Sequence, residues 1–413
     1  MAEDEGPGGV VVVGAGPAGL VLGLLLARAG VRVTVLEKHA DFLRDFRGDT
    51  VHPSTLGMLD DLGLGDRVAA LPHSRVVQGA VDTAAGQVVV ADLSRLPVRH
   101  PYIAMIPQWD LLDLLADAAA AEPTFELRVR HEVTDVVRDG AGRVTGVAYR
   151  GPDGPGRLHA DLVVACDGRW SAVRRAVGLP STSVRVPFDV WWVRVPTTRH
   201  VGESLVGRVR PGRVAVPIPR QGYLQLAVLG PKGTDATLRA RGLDAFRAEV
   251  AALVPEVADD VDGIASMDDV KHLDVRVDRL RRWHAPGVLC IGDAAHAMSP
   301  VGGVGINLAV QDAVATARLL APALRRGAVT GPAGDRLLAR VRRRRLMPTV
   351  VIQSAQRVAH ARLIAPALDG RVVAPPRALV RLLRRFPVLT AVPAAAVGIG
   401  PRPERVPAWA RRR

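Results

Sequence analysis

The stretch from Val10 to Lys38 limits the possible folds more than any other part of this chain. A run of valines leads into Gly14, and Gly16 and Gly19 complete the pattern GxGxxG before an apolar helical segment and a second apolar run that ends at Glu37. In a strand–turn–helix–strand unit, these glycines allow a tight turn, close approach of a pyrophosphate and close packing of the helix on the sheet. The acid accepts hydrogen bonds from the ribose hydroxyls. The helix N-terminus attracts the phosphates. The stretch therefore predicts a dinucleotide-binding unit.

The charge of the chain does not indicate a nucleic-acid partner. The chain has 413 residues, a formal net charge of +14 and a pI near 11.1, values that are typical of nucleic-acid-binding proteins. However, its lysines are only Lys38, Lys232 and Lys271, and its arginines are scattered except for the run Arg342 to Arg345. Aromatic residues for base stacking make up only 4%. We expect no nucleic acid, and the length indicates two closely joined domains.

The apolar N-terminal segment and the two cysteines have structural explanations. Residues Val10 to Ala27 are apolar enough to imitate a signal peptide, but acids at positions 3 to 5 stand where a signal needs positive charge. Cys166 and Cys290 each lie near the end of an apolar run, which is typical of small buried residues rather than of a disulfide or a metal site. We expect a cytoplasmic protein without bound metal, either a monomer or a homodimer.

The order of helical and strand patterns predicts an α/β fold with an inserted second layer. Helical periodicity from Gln108 to Ala121 and a buried strand from Leu162 to Ala165 continue the nucleotide-binding pattern. From Pro180 to Val277 helical pattern is limited to Leu238 to Leu253, and strand candidates dominate, the last of them Val270 to Val277. This predicts a mainly antiparallel sheet. The predicted boundaries are 1–75, 98–180 and 278–332 for a discontinuous Rossmann-like cofactor domain, 76–97 and 181–277 for a substrate-binding sheet domain, and 333–413 for C-terminal helices.

Two further motifs follow later strands. LVVACDGRW places Asp167 and Gly168 after one strand, and VLCIGDAAHAMSPVGGVGINLAVQDA places Asp293 after another, followed by the glycine-rich loop Pro300 to Asn307 at a helix start. A carboxylate at a strand end accepts hydrogen bonds from a polyol chain, and a helix N-terminus stabilises the electron-rich edge of a reduced flavin. Taken singly, Asp167 is also typical of a turn, Asp293 of a helix cap and Asn307 of a helix start. The interpretation depends on the three motifs together.

With these motifs in this order, the chain resembles the FAD-dependent aromatic hydroxylases of the para-hydroxybenzoate hydroxylase type, over about residues 10 to 360. The Rossmann-like domain is then an FAD-binding domain. The resemblance implies cofactor contacts at Gly14, Ala15, Gly16, Pro17, Ala18, Gly19, Glu37, Lys38, Arg47, Gln108, Val133, Asp167, Gly168, Gly292, Asp293, Pro300, Gly302, Gly303, Gly305, Ile306 and Asn307. From spacing alone, Arg47 is equally compatible with pairing to Asp45 or Asp49.

The resemblance also implies the reaction. NADPH or NADH reduces the flavin as a transient partner, O2 forms a flavin C4a-hydroperoxide, and one oxygen passes to an aromatic or polyketide-like small molecule. Trp191, Trp192 and Pro300 are candidates for the substrate side, and strand alternation directs one tryptophan towards the pocket and the other away. We assign no catalytic acid or base, and we expect His52 and His296 to be structural.

Several alternatives remain open at this point. An epoxidase, a reductase or dehydrogenase acting on a lipophilic substrate, and a flavin-binding protein without enzymatic activity all share the same motifs. A flavin-dependent halogenase is disfavoured, because Val193 stands where the halogenase motif WxWxIP has tryptophan. No lysine between Lys38 and Lys232 is present to carry a halogenating species.

The segment Ala378 to Phe386, ALVRLLRRF, has the periodicity of an amphipathic helix. Such a helix either packs its apolar face on the FAD-binding domain or rests on an anionic membrane. The apolar run is short, prolines at 375, 376 and 387 bound it, and tryptophan or lysine anchors are absent from it. We therefore expect docking on the FAD-binding domain rather than membrane contact.

Overall fold

The computed structural model describes residues 8–43, 49–83, 86–199, 204–210, 212–371 and 376–412. The fold is mixed α/β, and its centre is a six-stranded sheet made from short apolar runs that are buried, as parallel strands usually are. Neighbouring strands are parallel except for the antiparallel edge pair. In spatial order the strands are His284–Ala285, Val288–Cys290, Leu162–Ala165, Val10–Val13, Val33–Leu36 and Phe125–Arg128.

Helices cover this sheet and extend around it. Pro17 starts the first helix, Pro17–Arg28, which is buried from Ala18 to Ala27 and packs against the long helix Gly305–Leu324. Proline suits the first turn because its missing N–H would have no partner there. The other α-helices in the described residues are Pro53–Asp61, Gly65–Ala70, Gln108–Ala120, Ala172–Ala176, Asp235–Ala240, Leu243–Leu253, Gly331–Ala359, Ala365–Leu368, Arg377–Arg385 and Ala391–Gly398.

A seven-stranded sheet forms the second layer, and all of its neighbouring pairs are antiparallel except Ser204–Arg210 with Gln78–Thr83. In spatial order its strands are Lys271–Leu273, Phe188–Pro196, Tyr223–Pro231, Arg213–Pro219, Ser204–Arg210, Gln78–Thr83 and Gly86–Asp92. The smaller sheets of the described residues are Gly154–His159, Val144–Gly151 and Glu132–Arg138; Thr50–Val51, Ile103–Met105 and Ser74–Val76; and Ser181–Val184 with Val277–Leu280.

Two predicted elements are divided in the structure. The strand expected from Val270 to Val277 is wrong as one element, because the chain leaves the ladder after Leu273. There the buried Asp189 accepts a hydrogen bond from the Val275 N–H at 3.1 Å, and the Lys232 ammonium donates to the Val275 carbonyl at 2.7 Å. The helix expected from Leu238 to Leu253 breaks at Gly242, whose φ of +83° lies in the left-handed region that favours glycine.

The C-terminal amphipathic segment forms the predicted helix, but the predicted docking of its apolar face on the FAD-binding domain is wrong. The helix Arg377–Arg385 contacts the edge strand Gly86–Asp92 of the seven-stranded sheet. Leu379, Leu382 and Phe386 remain between 43% and 49% exposed. No helix in the described ranges is long and apolar enough to cross a membrane.

Candidate active site

The three sequence motifs meet at one edge of the six-stranded sheet. Val13 lies opposite both Leu36 and Ala165, and Ala165 lies opposite Cys290. Because these strands are parallel and in register, the residues that follow them emerge side by side. This is the carboxyl edge, where open α/β sheets bind their ligands.

The glycine motif has the geometry of a close-packed turn beside an open space. Gly14 has a φ of +97°, and a Cβ added there would lie 2.7 Å from the Cys166 carbonyl oxygen. A Cβ on Gly19 would lie 1.9 Å from the Gly14 carbonyl oxygen, so the helix packs directly on the turn. A Cβ on Gly16, in contrast, would meet no atom within 4 Å. Gly14 and Gly19 are therefore required for packing, whereas Gly16 borders free volume at the helix N-terminus.

Glu37 is buried beside this turn and organises two loops. Its Oε2 accepts a hydrogen bond from the Ala15 N–H at 2.9 Å, and its Oε1 accepts one from the His39 N–H at 3.0 Å. The His131 N–H donates to the Glu37 carbonyl at 2.8 Å, which brings the strand containing the buried Val133 to the same corner. Lys38, the next predicted contact, is exposed. The acid, the first turn and the strand of Val133 therefore lie at one corner of the sheet.

Asp167 follows the neighbouring strand and caps a short helix. Its Oδ2 accepts hydrogen bonds from the N–H groups of Ala172 at 2.8 Å and Val173 at 3.3 Å. Its Oδ1 is buried without a hydrogen-bond partner in the described residues, and burial raises the pKa of the carboxyl. Gly168, with a φ of +79°, turns the chain away beside open space. One carboxylate oxygen therefore serves as a helix cap, and the other has no partner among the described residues.

Asp293 lies at the end of the third strand, opposite the second motif. Its carboxylate lies 3.6 Å from the Arg169 guanidinium and is one-third exposed. Gly292, with a φ of +58°, is inserted between Ala18 and Ala309, which a Cβ would approach within 3.4 Å. The ion pair joins the second and third motifs, and sequence reasoning did not single out Arg169 as a member of the site.

The glycine-rich loop is held by side chains from the segment that follows the second strand. Pro300 precedes a turn in which Gly302 and Gly303 have positive φ angles. The Gly303 carbonyl accepts hydrogen bonds from Thr50 Oγ1 at 2.7 Å and from His52 Nε2 at 3.0 Å. His52 is fully buried, and desolvation lowers its pKa to about 4. A neutral His52 therefore fixes the loop position, which is the structural role expected for this histidine.

The helix that follows the loop begins with unfilled backbone donors. The first hydrogen bond along this helix runs from the Leu308 N–H to the Val304 carbonyl. The N–H groups of Gly305, Ile306 and Asn307 precede it and point out of the helix end, as the first N–H groups of any helix do. The buried side chain of Asn307 faces another way, since its Oδ1 accepts hydrogen bonds from Ser54 and Thr55, both at 2.8 Å.

The predicted contacts on the other side of the site are described in part. Gln108 begins the helix Gln108–Ala120, while Arg47 lies outside the described residues. Asp49, one of the two acids considered as its partner, forms a buried ion pair with Arg220 at 2.6 Å. Arg220 also donates to the Met105 carbonyl at 2.6 Å. The Asp49–Arg220 pair, which the sequence did not indicate, ties the segment after the second strand to the seven-stranded sheet.

The two tryptophans of the substrate-side candidates lie on opposite faces of the seven-stranded sheet. Trp191 is fully buried with Phe246 and Val250 of the covering helix, and its indole N–H donates to Asp235 at 2.7 Å. Trp192 is half-buried on the other face, in an apolar cluster that includes Val301 of the glycine-rich loop. Its indole nitrogen is buried without a hydrogen-bond partner in the described part of the chain.

A buried charge cluster supports the third motif from below. Asp312 accepts hydrogen bonds from His296 Nε2 at 2.6 Å, from the Gly292 N–H at 3.1 Å and from Arg345 Nε at 2.9 Å. Although burial acts to raise the pKa of Asp312, His296 and Arg345 hold it below its ordinary value. Glu404 completes the cluster at 3.5 Å from Arg345. The sequence signal that could have indicated this cluster is an acid and an arginine at otherwise apolar positions of two helices.

The two cysteines are free, Cys290 buried and Cys166 partly so. Burial raises the pKa of both thiols, which keeps them protonated and unreactive. They are packing residues beside the motifs, in agreement with the interpretation of their apolar surroundings.

Comparison with known proteins places the chain in a family. The model of the family described as FAD binding domain matches residues 9–355. A 6-methylpretetramide 4-monooxygenase from Streptomyces rimosus is 36% identical over 321 residues, which cover 77% of this chain and 76% of the relative. A para-nitrophenol 4-monooxygenase from Pseudomonas sp. is 30% identical, with 78% and 80% of the two chains covered.

A solved structure shows the same fold. The anhydrotetracycline hydroxylase of Streptomyces rimosus is 26% identical, with a TM-score of 0.73 over 95% of this chain and 76% of that one. The resemblance based on the three motifs is confirmed by these comparisons, and so is FAD as the cofactor. The chain therefore belongs to the FAD binding domain family of flavin-dependent monooxygenases, the aromatic hydroxylases that the three motifs indicate.

Proposed function

We propose that this monooxygenase hydroxylates an aromatic or polyketide-like small molecule, with NADPH or NADH as the transient reductant and O2 as the oxygen source. The observation that carries the proposal is the position of Trp192. It lies on the sheet face that shares an apolar cluster with the glycine-rich loop, and its buried indole N–H has no hydrogen-bond partner in the described residues. An aromatic substrate with a carbonyl or hydroxyl oxygen matches both its ring and its donor.

The described part of the site fits FAD. The open space at Gly16 admits a pyrophosphate, and the first helix presents its N–H groups there. Asp167 Oδ1 is buried without a partner and is free to accept a hydrogen bond. We assign the cofactor contacts to the residues that the motifs single out: Gly14, Ala15, Gly16, Pro17, Ala18, Gly19, Glu37, Lys38, Gln108, Val133, Asp167, Gly168, Gly292, Asp293, Pro300, Gly303, Gly305, Ile306 and Asn307, together with Arg47.

Each part of this set has a distinct task. Glu37 and Val133 would hold the adenosine end, and Asp293 would accept hydrogen bonds from the ribityl chain. The N–H groups of Gly305 to Asn307 would face the pyrimidine edge of the ring, where a positive helix end stabilises negative charge. When bound, FAD would be reduced by the pyridine nucleotide and would then activate O2. The chain's own residues position the substrate and exclude water from the ring.

The domain arrangement follows from the same assignment. We propose that residues 1–75, 98–180 and 278–332 form the FAD-binding domain, that 76–97 and 181–277 form the substrate-binding sheet domain, and that 333–413 form a helical segment behind them. Strands from 78 to 92 join the sheet of 188–231, which supports the discontinuous boundary. The substrate would lie between this sheet and the loop that begins at Pro300.

Aromatic and cationic side chains would line the substrate side of the proposed site. The guanidinium of Arg194, on the same sheet face as Trp192, lies 5.5 Å from the ring centre of Trp109 and 5.3 Å from that of Tyr223. Trp109 directly follows the cofactor candidate Gln108. Such a cation between ring faces suits a substrate that carries phenolate or enolate oxygens.

The proposal is tested by measuring NAD(P)H oxidation across a panel of phenols, quinolones and polycyclic aromatic ketones, with product analysis in 18O2. The expected result is substrate-stimulated oxidation with one labelled oxygen in the product. Stimulated oxidation that yields an unlabelled, reduced product would overturn the hydroxylase assignment in favour of a reductase. Bound FAD without NAD(P)H oxidation for any substrate would indicate a flavin-binding protein without this activity.

A further inference from the structure

A second cavity of about 570 Å³ lies between the helix Gly331–Ala359 and the edge of the six-stranded sheet. The helix contributes residues at positions 339, 342, 343, 346, 347, 350 and 351, a spacing that places them on one face. The sheet edge contributes Arg281, Arg282 and His284. None of the residues that we assign to FAD lines this cavity, and its volume is within the range of small-molecule sites.

Positive charge dominates the rim of the cavity. Arg281, Arg282, Arg342 and Arg343 line it, and none of them forms an ion pair with a described residue. Arg281 donates a hydrogen bond to the Thr182 hydroxyl at 3.3 Å. The acid at this end of the helix, Asp335, is paired with Arg143 at 3.0 Å. Four guanidinium groups without a carboxylate partner among the described residues therefore line one cavity, an arrangement that favours an anion.

Two buried polar atoms also lack partners here. Arg342 Nε and His284 Nδ1 are buried without hydrogen-bond partners in the described residues. Burial, followed by the charge of Arg282, lowers the pKa of His284. Such unsatisfied groups cost stability unless something binds to them.

The floor of the cavity is apolar. Leu346 and Val350 are half-buried there, and Met347 and Val351 are 44% and 45% exposed. Large apolar side chains exposed next to uncompensated arginines form a surface with two chemical preferences, one for negative charge and one for an apolar body. A simple inorganic anion would satisfy only the first of them.

We propose that this cavity binds a small anionic amphiphile, a molecule that places a sulfonate, phosphate or carboxylate among the four arginines and an apolar or aromatic body against Met347 and Val351. The site is separate from the proposed flavin site. Its proposal does not depend on the identity of the hydroxylated substrate.

The test uses the FAD-loaded enzyme and two matched probes in isothermal titration calorimetry. The anionic probe is 8-anilinonaphthalene-1-sulfonate, and the uncharged probe is N-phenyl-1-naphthylamine. We expect saturable binding of the anionic probe, and at least tenfold weaker binding in the double variant Arg282→Gln/Arg342→Gln. The control Arg325→Gln/Arg326→Gln removes the same charge from two exposed arginines elsewhere and should bind as the unmodified enzyme does.

The outcomes are distinct. Equal loss in both double variants would show a general charge effect and overturn the site, as would equal binding of the two probes by the unmodified enzyme. The double variant Met347→Ser/Val351→Ser tests the apolar floor and should weaken binding of the anionic probe without changing the flavin content. Displacement of the probe by NADPH but not by NADH would identify the bound anion as the reductant's phosphate. Displacement by neither would show that the reductant is not the ligand of this cavity.

Discussion

Arg345 and Asp312 form an ion pair in which both side chains are fully buried, with 2.9 Å between Nε and Oδ1. The pair lies directly below the third motif, because the same carboxylate accepts the Gly292 N–H. A buried pair of this kind contributes little net stability relative to apolar residues, but the loss of one partner leaves an uncompensated charge. The position of the Gly292–Asp293 turn therefore depends on two distant helices.

Arg345→Met should destabilise the enzyme strongly, because it leaves Asp312 and Glu404 buried with less positive charge. The expected loss is about 3–5 kcal/mol in the free energy of unfolding. Urea unfolding with saturating FAD measures it. Arg340→Met, on an exposed position of the same helix, should change stability by less than about 0.5 kcal/mol. Similar midpoints for the two variants would show that the pair does not anchor the turn.

The free energy of unfolding should decrease as the pH is lowered, because His52 resists protonation in the folded protein. Its pKa is about 4 when folded and 6.5 when unfolded, so below pH 6.5 the unfolded chain takes up a proton that the folded protein resists. The contribution is fully present above pH 6.5 and decreases by about 2 kcal/mol between pH 7 and pH 5. His52→Gln should remove this part of the pH dependence.

Thr50→Val is the matched control for His52. Thr50 donates to the same Gly303 carbonyl but does not titrate in this range. Its loss should lower the urea midpoint equally at pH 7 and pH 5. A His52→Gln profile parallel to that of the unmodified enzyme would show that His52 is not the titrating group.

FAD should be bound without a covalent link and should depend on Asp293. Acid precipitation is expected to release the flavin to the supernatant; flavin in the pellet would contradict this. Asp293→Ala should weaken FAD binding by about 1.5–3 kcal/mol, since charge-assisted hydrogen bonds to the ribityl chain are lost. Arg47→Ala should weaken FAD binding less and instead slow flavin reduction in stopped-flow measurements. The reverse order of the two affinities would contradict the assignment of Asp293 to the ribityl chain.

Trp192→Phe should act on the substrate and Trp191→Phe on stability. The first change keeps a ring in the proposed site but removes the unpartnered N–H, so the substrate KM should rise about 2- to 10-fold, equivalent to roughly 0.4–1.4 kcal/mol, and more H2O2 should form per NAD(P)H. The second removes a hydrogen bond to Asp235 and should lower Tm with little change in KM. Interchanged effects would place the substrate on the other face of the sheet.

Deletion of residues 371–413 should lower Tm and flavin retention. The deleted segment includes Glu404, whose carboxylate is fully buried between Arg344 at 2.7 Å and Arg345. The exposed residues Leu379 and Phe386 contribute less, so Leu379→Ser/Phe386→Ser should keep Tm nearly unchanged. A truncated enzyme that kept both Tm and FAD but lost binding to anionic vesicles would indicate a membrane role for this segment.

The sequence could predict those elements and motifs that are encoded by patterns of neighbouring residues. The glycine unit, the strand-end acids and the helix at Gln108 are each encoded within a few residues, because backbone geometry and periodicity act locally. Pairings between distant side chains have no such pattern. Asp312 and Arg345 are 33 residues apart, and Asp49 and Arg220 are 171 apart, so neither pair was foreseen.

The sequence also left open which tryptophan faces the substrate and which surface the C-terminal helix contacts, for a similar reason. Period-two alternation shows that Trp191 and Trp192 point in opposite directions, but the face that becomes buried is set by where the helix Leu243–Leu253 packs. Amphipathic spacing predicted the helix Arg377–Arg385 correctly, but the same spacing does not identify the surface that the helix contacts.

The burial of Glu404 against Arg344 and Arg345 constrains the order in which a newly made chain can mature. The glycine motif is synthesised before the other two motifs, yet its strand Val10–Val13 must wait for Leu162–Ala165, and that strand in turn for Val288–Cys290, before this side of the sheet is complete. The charges below that sheet edge then remain unbalanced until residue 404 has been synthesised. Flavin capture should therefore be a late event of biogenesis, and nascent chains stalled before that residue should emerge without stably bound FAD.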